Sequence, residues 1–379
     1  MGTNGNGGQP VLVVLQLTGG NDYMNTVVPY NDPLYYDNRT TLAISEDEVM
    51  KIDDSVGFNP AMGTLKDIYD RGEMAVVHGV GFPESTRSHF RAMDIWHTSE
   101  PHKVGTEGWL GRAIRDLDPE GENPVTAVNI GQGLPRALVA PGASVASVAD
   151  LSTYGLLTGI AERQERAKML DRFANIYSPA IGSGPVMDYL AQTGLDALKG
   201  ADMLKTAPAG YKSNVEYADI PLAKKLRDVA TIHTADLGTR IFYTEHGGYD
   251  THASQANNHP KLLSDVASAV TDFWDDLKEQ DAADNVIMFI FTEFGRRVKE
   301  NGTGTDHGAG GVSFIIGPKA EGGQHNEYPS MKPEDLREGD LAPDQDFRGV
   351  YTTILEDWFE LDAKPIVNGT FEKPALIQN

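Results

Sequence analysis

Four short stretches of this chain carry side chains that can do chemistry together. Asp22 follows an apolar run at 11–17 across Thr18-Gly19-Gly20-Asn21, and Ser85, Thr86, Arg87, Ser88 and His89 follow a second run at 74–80. Asp250 and His252 lie just past 239–244, and Glu293 closes the run 285–292, with Asp306-His307 downstream among glycines 302, 304, 308, 310 and 311. Taken singly, each has an ordinary structural role. A strand-end Asp caps a helix or shapes a turn, Ser before a helix is an N-cap, and Glu293 can pair with Arg296 or Arg297. Taken together, they are the oxygen and imidazole donors of a Zn²⁺, Mn²⁺, Mg²⁺ or Ca²⁺ site. Two such ions about 3.5–4 Å apart support both the attacking and leaving oxygens of an in-line displacement. Ser88 stands at an apparent helix start, where a metal and the helix N-terminus both favour its ionised hydroxyl. Arg87 offers a planar fork to a tetrahedral oxyanion, or a salt bridge to Glu84 or Asp94. His89 can be a ligand, a base or helix packing.

These residues need a frame that brings them to one place. The run 285–292 is too short for a helix and rich in β-branched and aromatic residues, as expected of a strand buried on both faces of a parallel sheet. Runs 11–17, 74–80, 125–130, 137–139 and 239–244 read as further strands. Helical spacing appears at 59–69, from about Ser88, and at 109–117, 160–177, 186–204, 222–234, 260–277 and 347–359. Stretches 30–60 and 317–346 read as irregular. The alternation predicts one α/β domain over 11–379 behind a flexible lead at 1–10, with a mainly helical segment at 156–234. Its central, mostly parallel sheet is flanked by helices on both faces. Ligands bind beyond the carboxyl ends of such strands, so the four stretches converge on one cleft.

Composition narrows the function. A formal charge of −23 over 379 residues opposes nucleic-acid binding, which needs a Lys/Arg footprint. An anionic substrate then requires bound metal to invert the local field. No apolar run approaches the ~20 residues of a membrane span. The absence of cysteine excludes thiolate ligands and disulfides. The lead MGTNGNGGQP reads as a flexible terminus or as the scar of a replaced signal peptide, which leaves a cytoplasmic location open.

Motifs over nearly the whole chain carry a resemblance: GGNDYMNTVVPY (19–30), TRSHFRAMDIWHT (86–98), GWLGRAI (108–114), GGYDTHASQ (247–255), TEFGRRVKENGTGTDHG (292–308) and DFRGVYTTILEDWF (346–359). The chain resembles the bacterial family of domain of unknown function 1501, grouped with the alkaline phosphatase and sulfatase superfamily. That resemblance implies a layered α/β fold, a divalent metal pair and a hydroxyl nucleophile at a helix start. It implies Asp22, Asp250, His252, Glu293 and His307 as metal ligands and Ser88 as nucleophile, assisted by Arg87 or His89. Asn25, Ser85, Thr86, Arg296 and Asp306 would stand around them. The activity implied is hydrolysis of phosphate or sulfate esters of a small molecule or glycan. Phosphoryl transfer, as in a mutase, and an exported binding or assembly protein are the alternatives. Family members usually begin with a twin-arginine export signal, which implies a periplasmic or secreted protein. Three departures stand out. Glu293-Phe294 replaces an Asp-His pair, Asp250 and His252 are only two apart, and Ser85 or Thr86 competes with Ser88 as nucleophile. One ion is therefore an alternative to two.

Overall fold

The computed structural model describes residues 8–152 and 199–378, together with positions 168, 172 and 197. The helix expected at 160–177, and most of that expected at 186–204, lie outside the described residues. The frame is a nine-stranded sheet built around β1 (Val11–Thr18). In chain order the other strands are β2 (Val27–Val28), β3 (Met50–Lys51), β4 (Gly57–Phe58), β5 (Met74–Gly81), β6 (Ala127–Ile130) and β7 (Val145–Val148). They continue with β8 (Ile241–Gly247), β9 (Val286–Phe291), β10 (Gly311–Ile316), β11 (Gly323–His325) and β12 (Gln345–Asp346). The order is β11-β5-β10-β9-β1-β8-β6-β7, with β12 also beside β5, while β2, β4 and β3 form a small separate sheet.

Strands β9, β1, β8, β6 and β7 are mutually parallel. β10 alone runs against both its neighbours, β9 and β5. Two antiparallel steps restore the direction, so β5 points the same way as β1, β8 and β9. All four therefore end on one edge of the sheet, which is what brings their exit loops together.

Alternate residues of β1 feed opposite faces of the sheet. Val11, Val13, Leu15 and Leu17 join a core with α2 (Gly63–Asp70), α5 (Pro221–Thr234) and α6 (Gln255–Glu279). Leu12 and Val14 join a second core with α3 (His89–Thr98), α4 (Trp109–Leu117), α7 (Phe347–Thr353) and α8 (Ala363–Val367). Burial on both faces explains why the central strands read as unbroken apolar runs. The sheet thus lies between two helical layers, as the alternation of elements predicts. Among the described residues no helix is long and apolar enough to cross a membrane.

Some local expectations change. Residues 137–139 are not a strand: Pro135 fixes a turn, its carbonyl accepting from the Leu138 amide at 3.0 Å, and the chain closes as a 3-10 turn at Arg136–Leu138. Stretch 30–60 holds α1 (Pro33–Asn38), capped by Asp32, as well as β3 and β4. Stretch 317–346 contributes the short strands β11 and β12. The closing helix ends in a π turn at Ile354–Trp358.

Candidate metal centre

Each exit loop delivers its residues through a specific local feature. At the end of β1, Gly19 and Gly20 have φ of 122° and 75°. A Cβ on Gly19 would fall 2.5 Å from the Asp250 amide nitrogen, so only glycine lets the β1 and β8 loops meet. After β5, Ser88 caps α3 and His89 becomes that helix's first residue. After β9, the chain folds back so that Arg296 bridges His307. The buried Arg296 guanidinium then ties three loops, donating to the carbonyls of Gly20 at 2.7 Å, Thr305 at 2.9 Å and Tyr249 at 2.7 Å. It also donates to the Gly19 carbonyl and, at 2.8 Å, to Asp250 Oδ1.

The result is a convergence of three imidazoles and one carboxylate. His307 Nδ1 lies 2.7 Å from the Arg87 carbonyl, which only accepts, so this nitrogen carries the proton. His89 Nδ1 is 2.8 Å from Glu293 Oε1, and His252 Nδ1 is 3.0 Å from Asp306 Oδ1. Ionised carboxylates also only accept, so the second nitrogen of each neutral ring is a bare lone pair. Those lone pairs face one another. His307 Nε2 is 3.0 Å from His89 Nε2 and 2.9 Å from His252 Nε2. Asp250 Oδ1 is 3.0 Å from His307, 3.1 Å from His252 and 3.4 Å from His89.

Lone pairs this close repel unless a positive charge lies among them. One proton can bridge one pair of these atoms; one divalent ion can serve His89, Asp250 and His307 together. Donors about 2.0–2.1 Å from a tetrahedral ion stand about 3.3–3.4 Å apart, near the 3.0–3.4 Å separations within the His89, Asp250 and His307 triad. The outer hydrogen bonds to Glu293, Asp306 and the Arg87 carbonyl set each ring's tautomer as they do for metal-bound histidines. The donors therefore fit a divalent ion.

Electrostatics agree with this division of labour. Burial pushes the Asp250 carboxyl up, but the hydrogen bond from Arg296 and the adjoining His307 and His252 rings outweigh it and hold it at about 2. The hydrogen bond to Glu293 raises His89 against the opposing effect of burial. Bonding to His252 and Asn301 lowers Asp306. Phe294 stands as an apolar wall, its ring centroid 4.9 Å from that of His89 and 5.1 Å from that of His307.

The family match covers most of this frame. A model described as "Protein of unknown function (DUF1501)" matches residues 9–338. The chain belongs to the DUF1501 family. No curated protein matches it. Solved structures that align with this DUF1501 chain include the C-terminal periplasmic domain of EcEptC from Escherichia coli, at 8% identity and TM-score 0.40 over 97% of this chain and 88% of that one. Another is the PsFucS1 sulfatase from Pseudoalteromonas sp., at 12% identity and TM-score 0.39 over 96% and 70%. A third is the lipoteichoic acid synthase LtaP from Listeria monocytogenes, at 8% identity and TM-score 0.36 over 88% and 74%.

The remaining site residues of this DUF1501 chain divide clearly. Asp22 stands outside the convergence, fully buried in a bidentate pair with Arg39. Glu293 lies behind His89 and is held by the Gly19 amide at 3.0 Å and the Thr292 hydroxyl at 3.0 Å. The Arg87 guanidinium pairs with Asp340 at 2.7 Å and Glu338 at 3.4 Å, not with Glu84 or Asp94, and is turned to that loop. Ser88 is exposed beside His89, and its hydroxyl accepts only a 3.5 Å contact from the Arg91 amide. The Thr86 hydroxyl accepts from the Ser88 amide at 3.3 Å, and Ser85 lines a shallow pocket with Arg87, Arg337 and Asp340. Asn25 braces the fold, donating to the Leu42 carbonyl at 2.7 Å. Sequence reasoning missed Arg39, Gln255 and Asp340. The first and last lie in stretches without readable periodicity, and Gln255 begins a helix like any polar residue.

Proposed function

We propose that this protein is a metal-dependent hydrolase of phosphate or sulfate esters, working from one centre built by His89, Asp250, His252 and His307. The observation that carries the reading is the set of three imidazoles, each with Nδ1 against an acceptor and Nε2 within 3.4 Å of one carboxylate oxygen. A nitrogen-rich donor set of this kind suits zinc better than magnesium or calcium. When bound, such an ion supplies Lewis-acid polarisation of an ester oxygen.

The chain's own residues supply the rest. Ser88 is the nucleophile in this reading, since its hydroxyl is exposed, lightly held and one residue from His89 at the start of α3. The helix N-terminus favours its ionised form. Glu293 orients His89, which would hold the ion through Nε2 and so does not act as a free base. Arg87 is committed to Asp340, so its contribution is the carbonyl that fixes His307. Arg296 draws charge from Asp250, which leaves the centre more electrophilic. The family resemblance adds a small-molecule or glycan ester as substrate and an extracytoplasmic location.

Turnover of aryl phosphate and aryl sulfate esters by zinc-loaded protein tests the proposal. Ester cleavage that depends on metal and disappears in Ser88→Ala, with metal content unchanged, is the expected result. Release of free phosphate or sulfate separates hydrolysis from transfer to an acceptor. A non-catalytic binding protein is the second reading, favoured by one observation: every imidazole of the cluster is already engaged by another protein group at Nδ1, as in structural sites. Metal-loaded protein that cleaves no ester would select it.

A further inference from the structure

We infer that this chain holds one divalent ion, and that the buried Arg39 guanidinium is a permanent cation standing where Asp22 would otherwise serve a second. The inference rests on the metal-centre part of the proposed function and departs from the metal pair that the resemblance implies. Asp22 leaves β1 at the same sheet edge as the donor cluster, yet neither of its oxygens is open. Oδ2 accepts from Arg39 Nη1 at 2.6 Å and from Gln255 Nε2, and Oδ1 accepts from Arg39 Nη2 at 3.0 Å. Both side chains are 0% exposed.

A carboxylate buried this way needs a compensating cation, and this one is covalently part of the chain. Arg39 follows α1 directly, its amide bonded to the Tyr35 carbonyl at 2.9 Å. Further donors are engaged as well, Nε on the Val298 carbonyl at 2.7 Å and Nη2 on the Arg297 carbonyl at 2.9 Å. The guanidinium thereby links the β1 exit to the segment that follows Glu293.

The other carboxylate implied for a second ion is closed too. Glu293 Oε1 accepts from the Gly19 amide at 3.0 Å and His89 Nδ1 at 2.8 Å, and Oε2 accepts from the Thr292 hydroxyl at 3.0 Å. Phe294, which stands where the resemblance implies a histidine, offers no donor. A second ion would have to strip Arg39 from Asp22 and three donors from Glu293 before meeting its first ligand. Charge at the reacting group, beyond what one ion neutralises, must then come from groups fixed in the chain.

The test is metal stoichiometry of the native full chain, saturated with Zn²⁺ and freed of unbound metal, read by native mass spectrometry and elemental analysis. One equivalent is expected. Two equivalents would overturn the inference while leaving the hydrolase reading intact, and none would overturn it outright. One equivalent without ester turnover supports the inference and sinks the hydrolase reading, so the two failures are distinguishable. The paired variant Asp22→Asn with Arg39→Gln adds a second measurement. It should retain one equivalent with a zinc Kd within about threefold of native, a difference under ~1 kcal/mol. Loss of the ion from a variant that keeps its native circular dichroism would make Asp22 a ligand and refute the argument.

Discussion

Glu293→Gln is the sharpest probe of the donor arrangement, because it changes one charge behind a ligand without touching the ligand. The carboxylate side chain is 1% exposed and receives His89 Nδ1 at 2.8 Å. Its negative charge raises the basicity of the imidazole and so the strength of Nε2 as a donor. Removing such an outer partner typically weakens metal binding by about 10–100-fold, and burial places this case near the upper end because little solvent screens it. Asp306 plays the same part behind His252 but is 55% exposed, so Asp306→Asn should cost less than about tenfold. Competitive zinc titration against a chromophoric chelator measures both. The pH of the titration matters. Native His89 is raised by Glu293, so protons compete with zinc more strongly in the native protein than in Glu293→Gln. On the alkaline side of the His89 titration that competition is absent and the full loss of affinity should appear. As pH falls through the His89 titration the native protein loses affinity faster, and the gap should narrow. Glu293→Gln binding zinc within about threefold of native at alkaline pH, or losing no more than Asp306→Asn, would refute the carboxylate–histidine–metal reading.

Other perturbations follow from the same geometry. Ser88→Ala should lower ester turnover by at least about a thousandfold if its hydroxyl attacks, while thermal unfolding moves by no more than a weak N-cap's share of about 0.5–1 kcal/mol. Arg296→Met should destabilise the fold by about 3 kcal/mol or more in denaturant titrations, since four buried loop carbonyls lose the donor that now satisfies them, at roughly 1–3 kcal/mol each. Zinc at about 100 times its Kd should stabilise the native chain by about 2.7 kcal/mol. His307→Ala should abolish that gain in a thermal-shift assay. Acidification should also remove it, because three imidazole lone pairs must stay unprotonated to bind.

What could be read beforehand follows the range over which each signal acts. The central strands were legible because burial on both faces imposes an unbroken apolar run, and 11–17, 74–80 and 285–292 lie within a residue of β1, β5 and β9. β10 was not, since Gly308, Gly310 and Gly311 run into it and disguise its start as loop. The meeting of Asp250, His252, His307 and His89 draws on three of the four strand exits that share one edge. Their roles were less legible. Whether a carboxylate at an exit meets a metal or a guanidinium depends on what lies beyond it in space. For Asp22 that partner is 17 residues away in an irregular stretch, and for Arg87 it is Asp340, 253 residues away.

The same reasoning explains how one strand-end pattern can serve different chemistries. Strand exits fix where donors stand, and a single arginine from a surface turn decides whether a carboxylate remains available. Arg39 closes Asp22, while Arg296 closes only one side of Asp250, whose side chain stays 49% exposed. The first guanidinium ends a ligand's career and the second tunes one. Replacing either therefore changes the number or strength of the centre's donors without altering any strand of the sheet that presents them.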